Sequence, residues 1–178
     1  MNCPDIGELG EDLVAQWLQS TGWIILHRRF SSRWGEIDII AQYDGSAGEA
    51  GEHTSTALSN QESRKAVGEL RTQHSVLAFV EVKTRSSGSW DAGGRSAITP
   101  QKQAKIWRTA GIFLAQCPEK ADYSCRFDVA IVYCQRISKN LTGVTATQSA
   151  LATSSVAGYK FKLQEYILAA FDSSIDNG

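Results

Sequence analysis

Two short apolar stretches of the sequence carry charged residues at spacings that suit chemistry on a phosphate group. Residues 35–41 read GEIDIIA and residues 79–85 read FVEVKTR, and each has the length of a strand. Because an unpaired charge in a buried strand is strongly destabilising, Asp38, Glu81 and Lys83 are expected to be paired, to bind a metal or to face a cleft. Two carboxylates and an amine that converge from neighbouring strands would suit a divalent cation.

Magnesium fits this set of groups. It takes oxygen ligands in near-octahedral geometry and keeps several water molecules, which leaves room for a phosphate oxygen. The Lys83 amine would then steady the attacking water or the charge on the phosphate. The alternative is a solvated cross-strand pair, because Glu-x-Lys is common on exposed strand faces. The apolar residues around Glu81 and the second acid-bearing stretch favour the metal site.

Side-chain alternation predicts how these charges are distributed over the two faces of each strand. Glu81 and Lys83 are expected on one face, with Val80 and Val82 on the other. The first stretch divides into Glu36, Asp38 and Ile40 on one face and Ile37, Ile39 and Ala41 on the other. The nearly unbroken apolar run of residues 76–82 is typical of a strand that is covered on both faces.

The two stretches together resemble the core of the PD-(D/E)xK nuclease superfamily, which has the restriction-endonuclease-like fold. More narrowly, residues 35–41 and 79–85 resemble the YraN-like family of small bacterial proteins, which are compared with Holliday-junction resolvases. The resemblance runs from Gly7 to Phe171. It implies an α/β sandwich in which helices flank a central mixed sheet of about four or five strands.

The resemblance also implies an activity, which is metal-dependent hydrolysis of phosphodiester bonds by a DNA endonuclease or a junction-resolvase-like protein. Asp38 and Glu81 would hold Mg²⁺ or Mn²⁺ together with the Val82 carbonyl, and Lys83 would act on the water or the phosphate. Glu11 matches a candidate active-site acid of the family, although an acid that favours the helix dipole explains it equally well. The remaining candidates are Glu36 for the metal shell and Arg33, Thr84, Arg85, Lys102, Lys105 and Arg108 for contacts with nucleic acid.

The expected partner is nucleic acid, with DNA favoured over RNA, and the junction resolvases of this superfamily imply a homodimer. The competing hypothesis is a nucleic-acid-binding module that keeps the nuclease fold without cleaving. A protein-interaction scaffold is a third reading. Asp128, in a late family motif, is expected to be a structural acid at a strand start, with a basic partner near the site as the alternative.

The charge of the chain is unevenly distributed. A formal net charge of −1 argues against a uniformly basic nucleic-acid binder. Between positions 83 and 108, however, six basic residues accompany a single acid, and Arg28, Arg29 and Arg33 precede the first acid-bearing stretch. Positive charge therefore flanks the predicted site, as contact with a phosphate backbone requires.

Length and composition suit one domain over residues 1–178, with 42% hydrophobic residues. No apolar run approaches the roughly 20 residues that span a bilayer, so no membrane partner is expected. The start of the sequence lacks the pattern of a secretory signal, which favours the cytoplasm. The four cysteines show neither Cys-x-x-Cys pairing nor a histidine at zinc spacing, so reduced thiols are expected.

Helical periodicity and capping residues predict two helices. The first covers residues 5–20, and the second begins with Thr99 as N-cap and Pro100 in its first turn. Further strands are expected at 23–26, 126–134 and 159–164. The polar stretches 44–75 and 138–157 are predicted to be flexible insertions, the former with a short helix around 62–70.

Overall fold

The computed structural model describes residues 5–45, 75–86, 98–137 and 149–171. In these ranges two helices flank one six-stranded mixed sheet, which confirms the predicted α/β sandwich. The helices are α1 (Ile6–Ser20) and α2 (Pro100–Gln116). The strands are β1 (Ile24–Ser32), β2 (Gly35–Tyr43), β3 (Val76–Ser86), β4 (Ser124–Arg136), β5 (Ala152–Val156) and β6 (Tyr159–Phe171).

The strands lie in the order β1-β2-β3-β4-β6-β5. β3 and β4 are parallel, and every other neighbouring pair is antiparallel. β3 therefore lies inside the sheet, and its residues pack on both sides. Ala78 and Val80 belong to the core under α1, whereas Leu77 and Phe79 belong to the core under α2. This double coverage is what the apolar run of residues 76–82 predicts.

Capping side chains fix the start of both helices. The Asp5 carboxylate accepts hydrogen bonds from the backbone N–H groups of Gly7 and Glu8, at 2.9 and 3.2 Å. Thr99 Oγ1 accepts from Lys102 N at 3.3 Å, which confirms the predicted N-cap of α2. Neither of these described helices is long and apolar enough to cross a membrane.

Three strand predictions need correction. β1 extends to Ser32 instead of ending near residue 26, so the arginine-rich stretch is part of a strand. Residues 152–156, expected to lie in a loop, form β5, the sixth strand. The strand predicted at 159–164 continues to Phe171 as β6 and is covered by β5. The predicted insertion at 44–75 lies outside the described residues except at its two ends, and so does the helix at 62–70.

α1 approaches β3 most closely at Gly10. A Cβ atom at this position would collide with Oγ1 of Thr84, a buried atom that has no hydrogen-bond partner among the described residues. Threonine is β-branched, so rotation about its χ1 angle brings another heavy atom into the same region. Gly10 is therefore required by packing, since it lets the helix carry Glu11 against the sheet.

Gly10→Ala is expected to lower the free energy of unfolding by about 1–3 kcal/mol, the usual cost of overpacking a filled core. Gly111→Ala is the matched control, because Gly111 also lies in a helix but a Cβ there meets nothing within 4 Å. That control should gain about 0.5–1 kcal/mol from helix propensity alone. Urea denaturation of both variants is the measurement, and equal effects of the same sign would contradict the packing argument.

Candidate active site

The site forms where β2 and β3 separate. Their backbone pairing runs from Tyr43 opposite Val76 to Ile39 opposite Val80 and stops before Asp38. Beyond that point the Val82 N–H donates to Asp38 Oδ2 at 2.7 Å instead of to a backbone carbonyl. The Asp38 carboxylate thus ends the ladder and occupies the gap that opens between the two strands.

The separation also interrupts the predicted alternation of side chains. Ile39 and Ala41 face the core under α1, and Ile40 faces the core under α2, as expected. Ile37 was predicted on the face of Ile39 but packs in the core under α2. The prediction for Ile37 is wrong because β2 no longer follows β3 on the far side of Asp38. In β3 the alternation holds, since Val82 packs with Val80 in the core under α1.

Glu81 is buried and lies between two lysine side chains. Lys83 Nζ donates to Glu81 Oε1 at 2.7 Å, which confirms that the two residues share a face. Lys102 Nζ, from the first turns of α2, lies 3.1 Å from Oε2. The orientation of this second contact is not that of a hydrogen bond, so Oε2 stays buried without a hydrogen-bond partner among the described residues. Both Glu81 oxygens therefore face an ammonium group, Oε1 through a hydrogen bond with Lys83 and Oε2 through an ion pair with Lys102.

Asp38 is held in an environment that disfavours its charge. Burial, and then the nearby charge of Glu81, raise the pKa of Asp38 to about 7. The hydrogen bond from Val82 and the charge of Lys102 oppose this rise, and the charge of Glu11 adds to it. A carboxylate with a strongly raised pKa beside a second acid is typical of a functional site.

Glu11 reaches the same end of the sheet from α1. It is buried, and Arg29 donates to it through Nε at 2.9 Å and through Nη2 at 3.3 Å. An Arg28 guanidinium nitrogen lies 3.6 Å from it as well. Consecutive strand residues normally face opposite sides, but Arg29 has a φ of 53°, in the left-handed region, which lets both arginines reach one acid.

Glu11 is paired with arginine and therefore differs from the two strand acids, Asp38 and Glu81. No three His, Cys, Asp or Glu side chains within the described ranges are grouped closely enough to hold a metal ion together. Glu11 affects the pKa of Asp38 through its charge, while its own oxygens bind arginine. Glu36 is also occupied, because Ser31 Oγ donates to its Oε2 at 2.6 Å. Asp38 and Glu81 are thus the acids best placed for a metal.

The chemistry of this pair fits a divalent cation. A cation beside Asp38 and Glu81 would offset the burial and the Glu81 charge that raise the pKa of Asp38, and it would satisfy Glu81 Oε2, which has an ion pair with Lys102 but no hydrogen bond among the described residues. Two protein carboxylates are enough for Mg²⁺, which keeps several of its waters. Val82, predicted to contribute its carbonyl, is fixed in position by the hydrogen bond from its N–H to Asp38.

The residues predicted to contact nucleic acid fall into two groups. Thr84 and Arg85 follow Lys83 along β3 and are partly buried. Arg33, Lys105 and Arg108 lie where the β1–β2 turn meets α2. Lys102 differs from the rest, because its ammonium group faces Glu81 rather than solvent alone. The structure thus brings Asp38, Glu81, Lys83 and Lys102 into one site.

Asp128 is a structural acid, as expected, but it lies inside β4 and not at the start of the strand. It is fully buried and accepts from Arg126 Nε at 2.9 Å, from the Tyr166 hydroxyl at 2.9 Å and from the Ala169 N–H at 3.0 Å. These bonds connect β4 to β6. Burial, together with the charge and hydrogen bond of Asp128, raises the pKa of Tyr166, which stays a neutral donor.

Two features of the site were not predicted from the sequence. Arg28 and Arg29 were expected only as part of a basic cluster, but both bind Glu11. The second feature is Trp34, whose ring lies beneath two arginine side chains. The only signal for Trp34 in the sequence was an aromatic residue between an arginine and a glycine, and the structure places it at the tip of the β1–β2 hairpin. No local sequence pattern predicts the contact of Arg29 with Glu11, because that contact depends on the left-handed φ of Arg29.

Comparison with known proteins gives a consistent family result. The model of the uncharacterised protein family UPF0102 matches residues 10–132. A UPF0102 protein of Trichormus variabilis is 59% identical over 172 residues, covering 97% of each chain. A UPF0102 protein of Nostoc sp. is 57% identical over 96% of each chain. A third, from Synechocystis sp., is 38% identical over 94% of this chain and 97% of its own.

Proposed function

The chain belongs to protein family UPF0102, and from the geometry of its site we propose that it is a metal-dependent phosphodiesterase of the PD-(D/E)xK nuclease superfamily that acts on nucleic acid. The observation that carries the proposal is the meeting of Asp38, Glu81 and Lys83 in a gap between two strands. Asp38, with its raised pKa, and the buried Glu81 beside it are unfavourable for stability, and together they form a carboxylate pair that suits a cation.

Asp38, Glu81 and the Val82 carbonyl would hold Mg²⁺ or Mn²⁺. When bound, the ion supplies charge neutralisation at the phosphate and a water of lowered pKa. In the hydrolysis a water oxygen forms a bond to phosphorus, the bond to the leaving oxygen breaks, and the leaving oxygen takes up a proton. Lys83 keeps its ammonium beside Glu81, where it stabilises the charge that builds on the phosphate oxygens.

Lys102 has a positioning role in this proposal. Its ammonium lies 3.1 Å from Glu81 Oε2 and compensates part of the acid's charge. On the α1 side Arg28 and Arg29 are paired with Glu8, Glu11 and Asp12, so they add no net positive charge to the gap. A phosphate that enters the gap would meet the ammonium groups of Lys83 and Lys102, which offset part of the repulsion from the acids.

DNA is the favoured substrate, in the form of an endonuclease or junction-resolvase-like activity, and a homodimer is the expected working unit because such enzymes cut two strands. We place this activity in the cytoplasm. The thiols of Cys117, Cys125 and Cys134 are free, which suits a reducing compartment.

A non-catalytic nucleic-acid-binding module is the second candidate. It is favoured by one observation, the position of two lysines around Glu81, which already balances the charge of that acid. In such a module Lys83 and Lys102 would serve as permanent replacements for a metal. The two candidates differ in whether a divalent cation binds at the site and supports cleavage.

The test is cleavage of labelled single-stranded, duplex, flap and four-way-junction DNAs and of a structured RNA, with Mg²⁺ or Mn²⁺. Wild type is expected to cut at least one of these substrates, and Glu81→Gln is expected to lose at least about 100-fold in rate while it binds the same substrate in EDTA. EDTA should abolish wild-type cleavage. Binding without cleavage by wild type on every substrate would decide for the module.

A further inference from the structure

An exposed tryptophan with cationic side chains around it lies beside the proposed site, at the turn between β1 and β2. Trp34 keeps 37% of its surface exposed. The guanidinium carbons of Arg33 and Arg108 lie 4.9 and 4.6 Å from the centre of its ring. Lys105 packs its aliphatic chain beside Gly35, the residue that follows Trp34. We call these four residues, Arg33, Trp34, Lys105 and Arg108, the Trp34 platform.

The position of the platform is fixed by several contacts. Ser32 Oγ and Thr109 Oγ1 form a hydrogen bond of 2.9 Å between the β1–β2 turn and α2. The backbone N–H of Trp34 donates to Ser32 Oγ at 3.1 Å. Gly35 has a φ of 149°, which glycine adopts without strain, and it lies against the side chain of Lys105. The exposed ring is therefore carried by an anchored turn.

The positive charges of the platform favour the binding of an anion. None of Arg33, Lys105 and Arg108 forms an ion pair with a carboxylate in the part of the chain that the structure describes. Two guanidinium groups at one ring repel each other, and an anion between them would remove that repulsion. The aromatic ring adds a preference for a flat group that can stack. A phosphate with an attached base satisfies both requirements.

The platform also lies in line with the proposed site. Gly35 precedes Asp38 by three residues on β2, about 10 Å along the strand. On α2, Lys102 faces Glu81, and Lys105 and Arg108 follow at intervals of three residues, a rise of about 4.5 Å each. A nucleic-acid strand whose phosphate enters the gap at Asp38 can thus continue along α2 to the platform.

We infer that the Trp34 platform binds an unpaired nucleotide close to the phosphodiester that is cut, an inference that rests on the proposed function. The unpaired base stacks on the exposed part of Trp34 or on an arginine plane, while Arg33, Lys105 and Arg108 hold the adjoining phosphates. A base inside an intact duplex is stacked on its neighbours and cannot offer its face. The substrate class is therefore nucleic acid with an unpaired segment, such as an overhang or a flap.

The test measures binding in EDTA by fluorescence anisotropy, so that it does not depend on cleavage. The ligands are a blunt duplex, the same duplex with a single-stranded DNA overhang, and a matched RNA overhang. Trp34→Leu is expected to weaken binding of the DNA overhang about 5- to 100-fold, the range for loss of one base stack, and to change blunt-duplex binding less than about 2-fold. Trp34→Phe should keep most of the affinity, because it keeps an aromatic face.

Trp107→Leu is the matched control, since Trp107 is similarly exposed, at 43%, on the adjoining helix but takes no part in the platform. It should bind both ligands as wild type does. Arg108→Gln should lower the slope of log affinity against log salt by about 1, which a merely structural role would not do. If Trp34→Leu loses the same affinity for the RNA overhang as for the DNA overhang, the platform contacts only the base and the phosphate. If the loss is confined to the DNA overhang, the platform also contacts the sugar.

Three results would overturn the inference. They are an unchanged overhang affinity in a folded Trp34→Leu protein, an equal loss on the blunt duplex, and an equal loss in Trp107→Leu. Each of them leaves the proposed cleavage intact. The proposed function fails by a different result, which is the absence of metal-dependent cleavage in wild type on substrates that it binds.

Discussion

Replacing Lys83 by methionine is expected to lower the rate of metal-dependent cleavage by at least about 100- to 1,000-fold, the usual effect of removing one preorganised group that stabilises transition-state charge. Methionine has a similar length, so the substitution removes the ammonium from its place 2.7 Å from Glu81 Oε1 without opening a large cavity. The rate is to be measured under single-turnover conditions, on the substrate that wild type cuts best.

The loss should lie in the chemical step and not in binding. In EDTA the Lys83→Met protein is expected to bind the same substrate within about 3-fold of wild type, because one partly buried charge adds little to a phosphate-backbone interface. Lys160→Met is the matched control, since it removes the same charge from an exposed position on β6. A Lys83→Met enzyme within 10-fold of the wild-type rate, or one that has lost binding instead, would remove Lys83 from the proposed mechanism.

The stability of the Lys83 variant separates this role from a structural one. Glu81 keeps the Lys102 ammonium 3.1 Å from its second oxygen, so the variant does not leave a buried acid without compensation. A melting temperature near that of wild type is therefore expected. A large drop would mean that Lys83 is needed mainly to neutralise Glu81, as the module reading requires.

The sequence predicts the parts of this site that depend on local patterns. Alternation along β3 is enough to place Glu81 and Lys83 together, because that strand is regular and covered on both faces. Thr99 and Pro100 are enough to start α2 at the right residue. These features need only neighbours within a few positions, and for that reason they can be read from one sequence.

Features that depend on tertiary contacts could not be predicted in this way. Strict alternation puts Ile37 on the wrong face, because β2 separates from β3 at Asp38. There the Asp38 carboxylate accepts a hydrogen bond from the backbone of Val82, a residue 44 positions along the chain. β5 is polar and rich in serine and threonine, and it is a strand because it pairs with β6. The ion pair of Lys102 with Glu81 requires the packing of α2 on the sheet.

Asp38→Asn is expected to stabilise the metal-free protein at pH 8 while it abolishes metal-dependent cleavage. The folded protein raises the pKa of Asp38 to about 7, so below neutral pH the folded state binds a proton that the unfolded chain has released. The stability contributed by this group is fully present below about pH 4 and is lost as the pH rises through 7. Wild type in EDTA should therefore lose stability between pH 4 and pH 8 on account of Asp38.

Asparagine removes this dependence without removing the hydrogen bond. Its amide oxygen can accept from the Val82 N–H as the carboxylate does, and it carries no charge against Glu81. At pH 8 in EDTA the variant is expected to be more stable than wild type by about 2–4 kcal/mol, from a shift of about three pKa units at 1.36 kcal/mol each. At pH 4 the two proteins should differ little. Urea denaturation at both pH values measures the difference.

Asp128→Asn is the matched control, because it makes the same substitution at a carboxylate whose bonds are all satisfied. It breaks the ion pair with Arg126 and is expected to destabilise the protein at pH 8. Addition of Mg²⁺ should raise the stability of wild type and leave Asp38→Asn unchanged, since a ligand stabilises only the state that binds it. If Asp38→Asn were destabilising as well, Asp38 would be a structural residue like Asp128. If Asp38→Asn stabilises the protein while Asp128→Asn destabilises it, the fold retains Asp38 at a cost in stability. That result is expected of a residue kept for binding a cation.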